Sequence, residues 1–267
     1  MCATCGCGNV HETHDHHHDH GHDHHHDHDH SVPHVHAASN PKTITLEKDI
    51  LAKNDLLAAR NRGWLEGRGI FALNVMSSPG AGKTTVLEKT IANFRRVGAE
   101  LTISVIEGDQ ATLRDAERIQ AAGAKAIQIT TGTGCHLDAR MLADALPKLD
   151  PAPRSLLVIE NVGNLVCPAL FDLGENLKVV LVSVTEGDDK PLKYPHMFRA
   201  ADVLVLNKID LLPYVTFDSA RFFDDVGKIN SRLRSFQVSA TKGDGLDAWC
   251  SWLTHAVSHH TKHSSRC

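Results

Sequence analysis

The sequence predicts an α/β fold in which a mostly parallel sheet carries helices on both of its faces. Short apolar runs that are rich in β-branched residues recur along the chain without strict alternation, which is typical of strands buried on both faces. Stretches of helical length with mixed polar and apolar residues separate most of these runs. Because strands that alternate with helices form parallel sheets, the two observations together predict this class.

The predicted elements begin with an amphipathic helix over residues 44–62. Its apolar side chains, spaced among charged ones, are Ile44, Ile50, Leu51 and Leu57. Strands are expected after this helix at residues 70–76, 101–106, 126–129, 155–159, 178–184, 202–206 and 235–239. Helices are expected between most of these strands, so the pattern favours one layered domain.

The chain is expected to have three parts. Residues 1–41 form a Cys- and His-rich metal-binding tail with a linker, residues 42–260 form the folded domain, and residues 261–267 form a frayed polar end. The composition is that of a soluble globular protein, with 42% hydrophobic and 22% charged residues. A net charge of -4 argues against a nucleic-acid partner, which requires a basic face. No apolar run is long enough to span a membrane and the start lacks a secretory signal, so a cytoplasmic location is expected.

The tail contains an unusual histidine tract. Residues 11–36 hold fourteen of the twenty histidines, interleaved with aspartates. A segment with so few apolar side chains cannot offset its ordering entropy, so we expect it to be disordered without metal. Imidazole suits nickel, zinc and copper, which predicts metal storage rather than a solubilising tail or a uniform purification tag. The densest histidines are His16, His17, His18, His24, His25 and His26.

A phosphate-binding loop follows the first predicted strand. Small residues there let backbone N–H groups converge on phosphate oxygens, with a helix N-terminus behind them. Lys83 would reach the β- and γ-phosphates, and the Thr84 hydroxyl would ligate Mg²⁺. Ser77 stands where the usual motif has its first glycine. The predicted phosphate-binding residues are Gly80, Ala81, Gly82, Lys83, Thr84 and Thr85.

A second motif predicts that the base is guanine. Asn207, Lys208 and Asp210 form an NKxD pattern after a strand, in which the aspartate accepts two N–H bonds from the base edge. Adenine would leave that carboxylate unpaired, so GTP is the expected nucleotide. The segment Ser239, Ala240 and Thr241, followed by a lysine, is expected to contact the same base.

Acidic residues at two other strand ends are candidates for the chemical step. Glu160 is expected to hold Mg²⁺, and the amide of Gly163 to sense the γ-phosphate. Asp109 is expected to contact the metal or to position the attacking water. A helix N-cap or a solvated loop carboxylate is the alternative for either acid. Lys83, Asp109 and Glu160 are therefore the predicted catalytic residues, and no glutamine or arginine is evidently placed to assist them, which predicts slow hydrolysis.

Two cysteine clusters are candidate metal sites. Cys135, His136 and Cys167 offer two thiolates and an imidazole, a borderline-soft set suited to Ni²⁺ or Zn²⁺. Taken singly, each cysteine is more often a small buried apolar residue. The start of the chain has a CxxCxC pattern, and without an export signal it favours metal ligation over disulfides. Its thiolates are those of Cys2, Cys5 and Cys7.

Together the CxxCGC start, the His tract, the SSPGAGKTT loop, the Cys-His and Cys-Pro pair and NKID resemble HypB. That family comprises nickel-handling GTPases that help to mature [NiFe]-hydrogenases. The resemblance implies a P-loop GTPase domain of the SIMIBI type and a GTP-linked homodimer. It also implies partnership with a HypA-type nickel chaperone and with the hydrogenase large-subunit precursor.

The resemblance also implies roles for particular residues. Cys2, Cys5 and Cys7 would form a tight nickel site, while the set of Cys135, His136 and Cys167 would bind nickel or zinc more weakly. The apolar dimer contact would involve Leu211, Leu212 and Val215.

Two alternatives remain open at the level of sequence. A urease accessory GTPase is also His-rich, but its expected Cys-Pro-His motif is absent because Ala169 follows Cys167-Pro168. A nickel buffer with incidental nucleotide binding is the other. We further expect metal and nucleotide to be coupled, because Cys167 lies only four residues beyond Gly163.

Overall fold

The computed structural model describes residues 41–98, 101–109 and 114–264. Seven strands and nine α-helices are found in these residues. The strands are β1 Phe71–Ser77, β2 Ile103–Asp109, β3 Lys125–Thr130, β4 Leu156–Glu160, β5 Leu177–Ser183, β6 Val203–Asn207 and β7 Arg234–Gln237. The helices are α1 Pro41–Gly67, α2 Lys83–Arg96, α3 Arg114–Ala122, α4 Ala139–Leu149, α5 Cys167–Leu170, α6 Lys190–Lys193, α7 Pro195–Ala200, α8 Ser219–Ile229 and α9 Leu246–Ser264. Two short 3₁₀ helices, Val184–Glu186 and Ile209–Tyr214, follow β5 and β6.

The strands form one sheet in the order β3-β2-β4-β1-β5-β6-β7. Every pair of neighbouring strands in the described residues is parallel. The predicted fold class is therefore confirmed, and each strand lies within three residues of its predicted limits. The sheet is parallel throughout, where the sequence predicted a mostly parallel one.

Successive side chains of the central strands point to opposite faces, and each face has its own core. On β4, Leu156 and Val158 belong to the cluster that includes residues of α2 and α9. Leu157 and Ile159 belong to a second cluster, which includes residues of α1 and α4. Burial on both faces explains why the sequence shows continuous apolar runs there instead of alternation.

The first and last helices differ in length from the sequence expectation. Helix α1 extends over Pro41–Gly67, several residues beyond the predicted 44–62 at each end. Helix α9 ends at Ser264, within the segment 261–267 that the sequence predicts to fray. Among the described residues, no helix combines the length and the apolarity that crossing a bilayer would require.

Parallel strands end at a common edge, which brings distant motifs together. Ser77, Asp109, Glu160 and Asn207 are the last residues of β1, β2, β4 and β6. Ligands of open parallel sheets bind in the crevice at this edge.

Candidate nucleotide and metal sites

The phosphate loop connects β1 to α2 by a turn that requires glycine. Gly82 has a φ of 100°, and a Cβ atom on it would lie 2.6 Å from the Asn207 side-chain nitrogen. No side chain in the described part of the chain caps the N-terminus of α2. The first amides of this helix therefore face the cleft, where they can bind an anion.

Lys83, Thr84 and Glu160 meet at the base of this loop. The Lys83 ammonium donates to the Ser77 hydroxyl over 3.1 Å and lies 3.9 Å from Glu160 Oε1. The Thr84 hydroxyl donates to the same Glu160 oxygen over 3.0 Å. Ser77, the departure from the usual motif, thus contacts Lys83 directly. All four side chains are buried.

The donor set at Thr84 and Glu160 fits a hard divalent cation. Both residues offer oxygen ligands, which Mg²⁺ prefers. The second oxygen of Glu160, Oε2, is buried, and the Glu160 carboxyl group shares a hydrogen bond with the buried carboxyl group of Glu107. A cation bound there would add positive charge beside two buried carboxyl groups, where Lys83 is the only cation in contact among the described residues.

A glutamate that the sequence analysis did not select lies beside Glu160. Glu107 is the register partner of Glu160 on the adjacent strand and is 2% exposed. Burial and the neighbouring Glu160 carboxylate raise the pKa of Glu107 to about 10. Burial also raises the pKa of Glu160, which the positive charge of Lys83 opposes. A glutamate directly after the apolar run 101–106, two residues before Asp109, was the signal in the sequence that could have found it.

The guanine motif is connected to the phosphate loop by hydrogen bonds. The Asn207 side chain donates to the Ala81 carbonyl over 3.0 Å, and Lys208 Nζ donates to the Gly80 carbonyl over 2.9 Å. Asn207 also accepts from the Ala240 amide over 3.3 Å. The two predicted loops are therefore held as one unit.

Asp210 lies in the 3₁₀ turn after β6. One of its carboxylate oxygens accepts a 2.6 Å hydrogen bond from the Ser239 hydroxyl. Ser239 also accepts from the Lys242 amide over 3.1 Å, which fixes the turn that contains the exposed Thr241. The NKID and SATK segments thus meet where the sequence expects a base to bind.

A cleft of about 550 Å³ lies at the carboxyl edge of the sheet, and Lys208 of the guanine motif lines it. The phosphate loop, Asp109, Glu160 and Gly163 all line it. A Cβ atom on Gly163 would lie 3.0 Å from the Pro79 backbone, so this segment packs closely against the phosphate loop.

An arginine also lines the cleft, contrary to the expectation that none is placed there. Arg118 donates to the Thr85 hydroxyl over 3.2 Å. It also pairs with Glu88 at 2.7 Å and with Asp115 at 3.0 Å. Arg118 belongs to no motif, and only the packing of α3 against α2 brings it to the phosphate loop.

Cys135, His136 and Cys167, which we term the metal cluster, converge as predicted. Their ligand atoms all lie within 4.8 Å of one another. The two sulfur atoms are 3.1 Å apart, and Cys135 Sγ is 3.6 Å from His136 Nδ1. The His136 ring stacks on Phe171 at a centroid distance of 4.0 Å. Burial lowers the pKa of His136, which favours the neutral imidazole that metals require.

Other predicted ligands cannot be placed. Cys2, Cys5 and Cys7 and the histidine tract lie outside the described residues. Leu211, Leu212 and Val215 are half-buried around the 3₁₀ turn after β6, where they pack against the core cluster of that face.

Comparison with known proteins decides the family. The family model described as CobW/HypB/UreG, nucleotide-binding domain, matches residues 71–237. The hydrogenase maturation factor HypB of Rhizobium leguminosarum bv. viciae is 56% identical over 215 residues, which are 80% of this chain and 71% of that protein. The chain belongs to the HypB family. The high identity to a HypB protein supports the HypB resemblance over the urease accessory GTPase that the sequence left as an alternative.

Two solved HypB structures share the fold. The crystal structure of HypB from Archaeoglobus fulgidus is 43% identical with a TM-score of 0.71, covering 78% of this chain and 100% of that chain. HypB from Helicobacter pylori in complex with nickel is 39% identical with a TM-score of 0.72, covering 78% of this chain and 97% of that chain. The seven-stranded parallel sheet is thus the HypB fold.

Proposed function

We propose that this HypB chain is a GTP-hydrolysing nickel metallochaperone, which binds nickel and delivers it during maturation of the [NiFe]-hydrogenase large subunit. One observation carries the proposal: the short segment 160–167 contributes both to the nucleotide cleft, through Glu160 to Gly163, and to the Cys/His cluster, through Cys167. The maturation role is supported by the printed names of relatives, and the nickel role by the nickel-bound Helicobacter pylori structure.

The GTPase chemistry follows from the cleft. The α2 N-terminus and Lys83 bind the phosphates, and Asp210 selects guanine. Thr84 and Glu160 would hold Mg²⁺, which when bound neutralises charge on the phosphate oxygens. Asp109 lines the cleft and orients the attacking water. Arg118 is already paired with two carboxylates, so little of its charge is available and we retain the proposal of slow turnover.

The metal cluster takes nickel as cargo, with zinc as a second metal. Two thiolates and one imidazole would supply three ligands to a metal that prefers four. The fourth position would stay open for an incoming ligand, which could then take the metal from the cluster. The CxxCGC start would be a tight nickel site, and the His tract a store. We place the chain in the cytoplasm as a GTP-dependent homodimer formed through Leu211, Leu212 and Val215. Its proposed partners are a HypA-type nickel chaperone and the hydrogenase large-subunit precursor.

The test is complementation of a bacterial strain that lacks its own HypB. The chain should restore hydrogenase activity, and Lys83→Ala should not, because the buried ammonium is lost from the phosphate site. Lys89→Ala, an exposed lysine on the same helix, is the matched control and should restore fully. Restoration by Lys83→Ala at normal nickel levels would favour the storage alternative, in which nucleotide is incidental.

A further inference from the structure

We propose that Asn161 is a positioning residue, whose side chain transmits the nucleotide state to the metal cluster. This inference rests on the proposed function, because it requires metal and nucleotide to be coupled. Asn161 follows Glu160 at the end of β4 and is 1% exposed. It therefore occupies the chain between the magnesium-binding carboxylate and the segment that leads to Cys167.

A single oxygen atom of Asn161 joins both functional segments. Its Oδ1 accepts from the Val162 amide over 3.0 Å and from the Leu137 amide over 3.0 Å. Val162 precedes Gly163, which packs against the phosphate loop, and Leu137 follows His136. The residue directly before Gly163 and the backbone directly after the metal ligand His136 thus share one acceptor.

The Asn161 side chain is fixed in orientation by a buried chain of polar groups. Its nitrogen donates to the Asn74 side-chain oxygen over 3.2 Å, and Asn74 donates to Glu175 over 3.1 Å. Glu175 in turn accepts from the Leu173 amide over 2.7 Å, two residues after the Phe171 ring that stacks on His136. Because a buried polar group left unpaired costs ~1–3 kcal/mol, rotation of the Asn161 amide is resisted.

A movement of the segment that contains Val162 and Gly163 must therefore also displace the loop that contains Cys135 and His136. If Gly163 shifts toward a γ-phosphate, Asn161 Oδ1 either follows Val162 and pulls Leu137, or releases one amide. The Leu137 side chain is held against β2, since a Cβ atom on Gly108 would lie 2.8 Å from it. The displacement then falls on Cys135 and His136. Metal–ligand distances are confined to about ±0.2 Å, so a small displacement changes affinity.

The chain offers a matched control in Asn61 on α1. Asn61 is also buried, and its side chain donates to the Ala139 carbonyl over 2.8 Å and to the Leu173 carbonyl over 3.0 Å. It holds the same two regions, just after the metal loop and beside Phe171. The hydrogen bonds that its side chain donates within the described residues do not go to the nucleotide segment 160–163. A purely structural role would make Asn161 and Asn61 equivalent.

The experiment measures nickel affinity of the full chain with GDP and with a non-hydrolysable GTP analogue. Every protein in the comparison carries serine in place of Cys2, Cys5, Cys7 and Cys267, which removes these other sulfur ligands. Nickel binding is followed by sulfur-to-nickel charge-transfer absorption, which reports the metal cluster and not the histidine tract. A chelator buffer sets free nickel. The readout is the ratio of the two nickel affinities, in the parent and in the Asn161→Ala, Asn161→Asp and Asn61→Ala variants.

In the parent, the nickel affinities with GDP and with the GTP analogue should differ by about 5- to 150-fold, the usual range of such coupling. Asn161→Ala should bring the ratio to within about 2-fold of one, and Asn61→Ala should keep it. Asn161→Asp, which retains the accepting oxygens, should keep more of the ratio than alanine does. Asn161→Ser, with a hydroxyl too short to reach both amides, replaces the alanine variant if that one does not fold.

Each other outcome overturns the inference in a recognisable way. A parent ratio of one contradicts the coupling in the proposed function, and this inference with it. If the parent and the Asn161→Ala variant show the same ratio of nickel affinities, different from one, the role of Asn161 is overturned but the coupling itself stands. Equal losses in Asn161→Ala and Asn61→Ala would mean general loosening of the cluster, which also excludes a specific transmitting role.

Discussion

Two buried glutamates define the chemistry of the cleft at the scale of single residues. Glu107 and Glu160 are register partners on β2 and β4, and only Lys83 brings positive charge within 4.0 Å of Glu160 in the described residues. With a pKa of about 10, Glu107 is protonated in the folded chain at neutral pH. Bringing a cation to Glu160 favours ionisation of the pair, so magnesium binding is linked to proton release.

The first prediction concerns the pH dependence of stability. The folded pKa of Glu107 exceeds its unfolded value, so the folded chain holds a proton that the unfolded chain loses above pH ~4.5. The free energy of unfolding should therefore fall between about pH 4.5 and 10, by at most ~1.4 kcal/mol per pH unit. Glu107→Gln should flatten this dependence. Urea unfolding from pH 5 to pH 9, without nucleotide or metal, measures it, and an unchanged slope in the variant would refute the assignment.

The second prediction concerns nucleotide choice. Asp210→Asn replaces an acceptor by a donor at the guanine edge, so GTP affinity should fall about 10- to 100-fold, since a bidentate pair to a base is worth ~1–3 kcal/mol. Xanthosine triphosphate, whose base offers an acceptor there, should bind more tightly. Fluorescent-nucleotide competition measures both, with the exposed Asp224→Asn as control. Comparable ATP and GTP affinity in the unmodified chain would be contrary to the base-recognition argument.

At the scale of elements, a strand or a site residue could be predicted from the sequence where a local sequence pattern determines its place in the fold. The strands were predictable because burial on both faces leaves an apolar run, and the P-loop and NKID because their residues are adjacent in sequence. The convergence of Cys135 with Cys167 was expected from chemistry alone. Arg118 was not predictable, since it reaches Thr85 only through the packing of α3 on α2. Glu107 was overlooked because a carboxylate inside a strand has no meaning until its neighbour Glu160 is known.

The third prediction tests the contact between the β4 loop and the phosphate loop. Gly163→Ala would place a Cβ atom 3.0 Å from the Cα and N of Pro79, backbone atoms that cannot give way cheaply. The segment should move away from the γ-phosphate position, which weakens the GTP analogue by ~10-fold or more while GDP changes less. Gly227→Ala on α8, whose Cβ meets nothing within 4 Å, is the control. Equal effects on both nucleotides would mean that Gly163 does not sense the γ-phosphate.

At the scale of the whole molecule, the fourth prediction separates metal storage from metal handling. Fourteen histidines lie in residues 11–36, apart from both the cleft and the metal cluster in sequence. Deleting this segment should remove several bound nickel ions and leave GTP turnover nearly unchanged. Uptake by the tract should also weaken below pH ~6.5, because imidazole must be deprotonated to bind metal. Metal analysis after gel filtration measures the stoichiometry, and full retention of nickel without the segment would exclude storage there.

The central claim is that one segment, residues 160–167, couples nucleotide state to the metal cluster. The most direct test is the nickel affinity of a chain lacking residues 1–36, measured by calorimetry with GDP and with a non-hydrolysable GTP analogue. The nickel affinities in the two nucleotide states should differ by ~1–3 kcal/mol, and nickel should change nucleotide affinity by the same factor. Both effects should be lost in Cys167→Ala. Nickel affinities that agree to within about 0.3 kcal/mol, well below that range, would contradict this claim.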